Sequence, residues 1–259
     1  MPTRIRVNAP AVSSIVAPLL RARSTRPERS DWGPLLVALL AGDEVSVQAV
    51  FERVRACGTD LAVVARDLVQ PALEQVGEMW HRGEIGIAEE HLATALVARS
   101  FQLGARDVTA PGLGAPRLVL VCPGGEFHDL GARIAAEIGR QEGWQVEFLG
   151  ANLPREAAIQ FVSLRRPDAL GLSVTLAAHV VACSSIVKGI RQVAPGAKVL
   201  AGGLAFRLDP ELGPLAGADA ILNDAVALRD WLRANRPVTR TSPNPSRLRR
   251  KTRKSRVAP

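Results

Sequence analysis

Residues 117–142 read RLVLVCPGGEFHDLGARIAAEIGRQE, and this stretch decides the fold. It begins with a short run of aliphatic residues, turns at Pro123, Gly124 and Gly125, and continues with apolar residues at helical spacing from Leu130 onward. That order predicts a buried strand, a tight loop and a helix, the opening unit of an α/β sheet. The loop carries Glu126, His128 and Asp129, followed at once by Gly131. Open α/β sheets bind their ligands beyond the carboxyl ends of the strands, and this loop lies there.

Downstream, QVEFLG, DALGLSV, AKVLAGG and ADAIL predict four more strands, with helices at 130–142, 155–165, 177–193 and 225–234. Parallel strands need crossover connections, so the alternation predicts an α/β domain: a flavodoxin-like five-stranded parallel sheet with helices on both faces. The strands end in small or polar residues: Gly150, Ala151 and Asn152, then Ser173 and Thr175, then Gly202 and Gly203. Such ends outline a slot. A phosphate cradle would also use glycines, but the P-loop lysine is missing and GxGxxG does not occur at the first turn.

Upstream of the loop TAPGLGAP, apolar residues recur at helical spacing from Asp31 to about Asp107. Four helices fit: 31–41, one capped by Asp43 or Ser46, one opening at Thr59 or Asp60 with a kink at Pro71, and a last one over about 85–106. They predict a four-helix bundle cap. The expected organisation is a flexible basic arm at 1–29, the bundle at 30–109, the sheet domain at 115–235 and a basic tail at 236–259.

Charge and composition agree with that division. Of 259 residues, 47% are hydrophobic and 22% charged, enough for a sizeable core. The formal charge is +8, but residues 1–30 carry +5 and residues 236–259 carry +9, which leaves an acidic body of −6. No apolar run is long enough for a membrane span. Cys57, Cys122 and Cys183 lie far apart in apolar periodic segments and read as reduced core residues of a cytoplasmic protein.

The residues alone leave His128 two readings. A neutral imidazole at a strand end can ligate a metal through one nitrogen while Glu126 or Asp129 holds the other; it can equally be an ordinary surface-loop histidine. The array EFHDLG, LSVT at 172–175 and AGG at 201–203 resembles the cobalamin-binding fold, whose pattern is Asp-x-His-x-x-Gly, Ser-x-Leu and Gly-Gly. The resemblance implies that His128 is the lower cobalt ligand, that Ser173 and Thr175 meet the displaced nucleotide tail, and that Gly202 and Gly203 let it pass closely. Here Glu126 replaces the usual Asp, and Thr175 stands where the family has Leu.

In the bundle, Trp80, nine intervening residues, then Glu90 and His91, in MWHRGEIGIAEEHLAT, is similar to the cap of light-sensing, adenosylcobalamin-dependent transcription regulators of the CarH type. That resemblance implies that Trp80 packs over the adenosyl group, that Glu90 binds it, and that His81 becomes the upper cobalt ligand after light breaks the Co–C bond. Those regulators carry a MerR-type winged helix-turn-helix before the bundle, and the residues ahead of Asp31 show no such pattern. The expectation is therefore a non-enzymatic cobalamin photoreceptor, with adenosylcobalamin as cofactor ahead of methylcobalamin or hydroxocobalamin. Its output would be a homo-oligomeric assembly change, a DNA-binding regulator as partner, or non-specific nucleic acid contact through the basic tail. The alternatives are a corrinoid methyl-carrier subunit of a methyltransferase system, or a storage module.

Overall fold

A computed structural model describes residues 32–104, 111–112 and 114–236. Both basic ends lie outside the described residues, apart from Arg236, as does most of the loop between bundle and sheet.

The bundle opens with α1 (Gly33–Leu40) and α2 (Glu44–Ala56). Asp43 caps α2 by accepting from the Ser46 N–H, which satisfies one of the unpaired donors of a helix start. Asp60 does the same for α3 (Leu61–Val64) through Ala62. The expected kink at Pro71 takes another form. A π-helical turn, Ala65–Val69, is inserted before α4 (Gln70–His81), and the Gln70 N–H bonds back to the Ala65 carbonyl. Pro71 thereby falls at the start of α4, where its missing N–H costs least. The cap ends with α5 (Ile87–Gly104). Leu36, Leu39, Phe51, Val76, Met79, Val97 and Phe101 fill its core.

The sheet consists of β1 (Arg117–Val121), β2 (Gln145–Phe148), β3 (Ala169–Ser173), β4 (Lys198–Gly202) and β5 (Ala220–Leu222). All pair in parallel in the order β2-β1-β3-β4-β5. Alternation along each strand separates two cores. Val119, Val121, Leu170, Leu172 and Val199 face one side, against α7 (Arg155–Arg165) and α8 (Val180–Val193). Leu118, Leu120, Ala169 and Leu200 face the other, against α6 (Leu130–Gln141) and α11 (Ala225–Ala234). Two short helices that the periodicity does not announce, α9 (Leu204–Leu208) and α10 (Leu212–Ala216), lie between β4 and β5.

The cap sits on the α6/α11 side: Ala62 joins the core of that face, and Leu130, Ile134 and Ala225 pack against the bundle. Asp60 pairs with Arg229 at 3.1 Å and Arg233 at 3.3 Å, and Arg233 also reaches Glu142 at 2.8 Å. A separate pair, Glu74 with Arg207 at 2.5 Å, ties α4 to α9. Cys122 and Cys183 are buried, and burial pushes both thiols up to about 12. Cys57 is exposed, contrary to its expected core position, because it caps the end of α2 instead of continuing its buried face. No helix among the described residues is long and apolar enough to cross a membrane.

Candidate functional site

The strand order reverses direction at β1, whose neighbours are β2 on one side and β3 on the other. The loops after β1 and β3 therefore lie side by side, and this brings Glu126 to Thr175. Glu126 is fully buried, a costly place for a carboxylate unless donors surround it. Five do. Oε1 accepts from the His128 N–H at 3.0 Å and lies 2.6 Å from His128 Nδ1. Oε2 accepts from the N–H groups of Thr175 at 2.8 Å and Leu176 at 3.1 Å, and lies 3.0 Å from His179 Nδ1.

Burial pushes the Glu126 carboxyl up, but the hydrogen bonds from His179, His128 and Thr175 outweigh it and bring it down to about 2. An ionised carboxylate only accepts, so it fixes the proton of His128 on Nδ1. The Nε2 lone pair is left for a ligand, on a side chain 56% exposed. Asn152, with φ +53, holds the loop from the other side: its N–H donates to the Glu126 carbonyl and its Oδ1 accepts from the Gly125 N–H, both at 2.8 Å.

Asp129 does not share this work. It forms a two-pronged ion pair with Arg133 at 2.9 and 2.7 Å, one helical turn on, so of the two acids beside His128 only Glu126 holds it. Gly131 lies beside Ser173: a Cβ there would stand 3.4 Å from the Ser173 hydroxyl. Gly202 and Gly203 admit no side chain. A Cβ on Gly202 would come within 2.8 Å of the Leu222 carbonyl oxygen, and one on Gly203 within 2.3 Å of that of Val174. Gly203 also takes φ +118, which L residues rarely adopt.

On the cap, Trp80 and His81 end α4 and are both exposed. Glu90 and His91 open α5, with Glu90 bound to His91 Nδ1 at 2.5 Å and accepting from the Thr94 hydroxyl at 3.0 Å. Among the described residues this cluster shares no hydrogen bond or ion pair with the one around His128. The participant that sequence reasoning missed is His179. It lies in the turn Ala177–His179 after β3, and its ring stands 3.2 Å from where a Gly125 Cβ would be. The signal that could have found it is a histidine shortly after a predicted strand end next to that of His128.

The arrangement fits a corrinoid. It offers one imidazole nitrogen freed for metal, small residues at the ends of β3 and β4, and exposed apolar side chains on both the loop after β1 and the cap. Phe127 is 69% exposed and Trp80 47%, an expense that a flat apolar ring would relieve.

Comparison with known proteins points the same way. Residues 116–228 match the family described as B12 binding domain, and residues 34–103 match a second family with the same description. The HTH-type transcriptional repressor CarH of Myxococcus xanthus is 33% identical over 190 residues, 72% of this chain and 62% of the repressor. The HTH-type transcriptional repressor CarA of the same organism is 29% identical over 172 residues, 66% of this chain and 56% of that one. The chain thus spans about three-fifths of the length of these curated relatives. The monomethylamine corrinoid protein of Methanosarcina barkeri shares the fold, with a TM-score of 0.66 at 15% identity, covering 77% of this chain and 95% of that chain.

Proposed function

The chain belongs to the B12-binding-domain family, and from that premise we propose that it is a light sensor holding adenosylcobalamin between cap and sheet. Both the cap and the sheet domain match B12 binding domains, which supports cobalamin as the ligand. The finer reading rests on one observation above the rest: buried, ionised Glu126 fixes the His128 tautomer and leaves Nε2 free as the lower cobalt ligand.

Each residue then has a defined task. Ser173, Thr175, Gly131, Gly202 and Gly203 would line the slot for the nucleotide tail; the two adjacent glycines let the chain pack β4 closely against the Leu222 and Val174 carbonyls at its edge. Trp80 covers the upper face, and Glu90, aligned by Thr94 and His91, offers its carboxylate to the upper substituent. When bound, adenosylcobalamin supplies a cobalt–carbon bond that visible light can break. His81, next to Trp80 at the end of α4, would offer its imidazole to the cobalt once that bond is gone. Asp129 steadies the first turn of α6 through Arg133.

A methyl carrier must open its upper face to a partner enzyme, and a cap that carries Trp80, His81 and Glu90 suits a sensor better. The relatives named as repressors support a regulatory output, delivered through a change of assembly or a DNA-binding partner. Residues 236–259, with nine basic side chains and no acid, add a sequence-independent contact to nucleic acid in the cytoplasm.

The test is to load the protein with adenosylcobalamin and record absorption spectra before and after green light, for the wild type, His81→Ala and His128→Ala. The wild type is expected to change its spectrum on illumination, His128→Ala to lack the histidine-ligated spectrum from the outset, and His81→Ala to give a different photoproduct. A wild type that binds the cofactor but ignores light defeats the sensor reading and leaves the carrier.

A further inference from the structure

We propose that His179 is a positioning residue for His128: its imidazole, donating to one oxygen of Glu126, sets the carboxylate so that the other oxygen keeps the His128 proton on Nδ1. The proposal rests on the reading of His128 as a cobalt ligand, and it adds a second histidine to the groups that prepare it.

The backbone leaves the His179 side chain free for this work. Its N–H donates to the Leu176 carbonyl at 2.9 Å, within the turn Ala177–His179. It stands just before α8, where a side chain commonly caps the helix, yet it makes no capping bond. Ala177 and Ala178 of the same turn are exposed, whereas the His179 side chain is only 20% exposed. The ring is turned inward, with Nδ1 3.0 Å from Glu126 Oε2. It also lies against Gly125, where a Cβ would stand 3.2 Å from both its Cδ2 and its Nε2. The loop after β3 thus grips two adjacent residues of the loop after β1 through one side chain.

Of the five donors that reach Glu126, three are the backbone N–H groups of His128, Thr175 and Leu176, and two are imidazoles. His128 has its other nitrogen to give to a ligand, so among the described residues His179 is the side chain that serves the carboxylate alone. A carboxylate is planar, and its two oxygens turn together. Whatever holds Oε2 therefore also aims Oε1 at His128 Nδ1, 2.6 Å away. His179 covers the anion as well: Glu126 is fully buried although the His128 ring bound to it is largely open to water. With the His179 ring gone, water reaches Glu126 and competes with the His128 Nδ1–H for the carboxylate, and the His128 proton is then free to move to Nε2.

The experiment compares the full chain as wild type, His179→Asn and His179→Leu. Asparagine offers an amide N–H close to where the histidine Nδ1–H stands, and leucine fills space without a donor. The ring nitrogens of His128 are read by 15N NMR in the cofactor-free proteins at about pH 8.5, where an ordinary imidazole is neutral, with the signals assigned from His128→Ala. Urea midpoints are recorded alongside, and adenosylcobalamin is then titrated in the dark. Wild type and His179→Asn are expected to keep the His128 proton on Nδ1. His179→Leu is expected to show both tautomers and to bind the corrinoid about 10-fold more weakly. A His179→Leu protein with the wild-type His128 signals overturns the proposal, even if its urea midpoint falls, because the role is then structural. A His179→Asn protein with the same mixed signals as His179→Leu overturns it too. A wild type that binds no corrinoid defeats the cobalamin reading itself, whatever the ring signals show, which separates the two failures.

Discussion

The floor and the roof of the proposed cobalamin site are built on opposite principles. Around His128, every partner is in place before any ligand arrives: a fully buried carboxylate takes five donors from three short segments of chain. Around Trp80 and His81 the side chains stand exposed at a helix end. A preorganised floor suits permanent coordination, since little ordering remains to be done on binding. A loosely held roof suits a part that must rearrange. Mutations in the floor should therefore register in the cofactor-free protein, and mutations in the roof only once it is loaded.

The largest effect is expected at Glu126. Replacing it with leucine strands the N–H groups of His128, Thr175 and Leu176 in a buried place, for a loss of about 3–5 kcal/mol in urea denaturation of the cofactor-free protein. The pH dependence follows the same residue. Its carboxyl lies at about 2 in the fold against an ordinary 4.5, so its contribution to stability is fully present above about pH 4.5 and is lost as pH falls toward 2. Glu126→Leu should flatten that part of the stability profile. An unchanged slope between pH 4.5 and 2 would mean that the carboxylate is not the buried anion described here.

The histidines sharpen the contrast. His128→Ala removes a ring that is more than half exposed, so the cofactor-free protein should lose about 1 kcal/mol or less. Corrinoid affinity, by contrast, should drop by about 10-fold or more with the lower ligand gone. His81→Ala should change neither the cofactor-free stability nor dark binding measurably, and should appear only after illumination. If His81→Ala weakened dark binding as much as His128→Ala, the division between a fixed floor and a mobile roof would fail.

Much of this was legible before any coordinates. The five strands are short apolar runs bounded by turn residues, and the crossover rule then leaves parallel pairing as the natural outcome. His128 could be singled out because its loop stands at a strand end; choosing Glu126 over Asp129 as its holder could not. That choice depends on Arg133 claiming Asp129 one turn along α6 and on the β3 loop arriving beside Glu126, a contact 49 residues away in sequence. His179 escaped for the same reason: its role exists only once β3 lies next to β1. The π-helical turn before Pro71 was hidden because periodicity does not distinguish a kink from an inserted residue.

The smallest effect is expected where roof meets floor. Among the described residues, ion pairs join cap and sheet at two places. At the start of α3, Asp60 joins Arg229, Arg233 and Glu142 in a network beside the apolar contact of Ala62 with the α11 face. Between α4 and α9, Glu74 and Arg207 form a single pair whose side chains are 42% and 31% exposed. An exposed pair of this kind contributes about 0.2–1 kcal/mol at most, whereas the network is backed by apolar packing. A double-mutant cycle of Glu74→Ala and Arg207→Ala in the cofactor-free protein should therefore give a coupling of under about 1 kcal/mol that shrinks as salt is added. Such a weak tie lets α4 lift at the Glu74 end while the Asp60 end acts as pivot, which is the motion a rearranging roof requires. A coupling well above that, or one insensitive to salt, would make the Glu74 end as firmly fixed as the floor and deny the cap its freedom there.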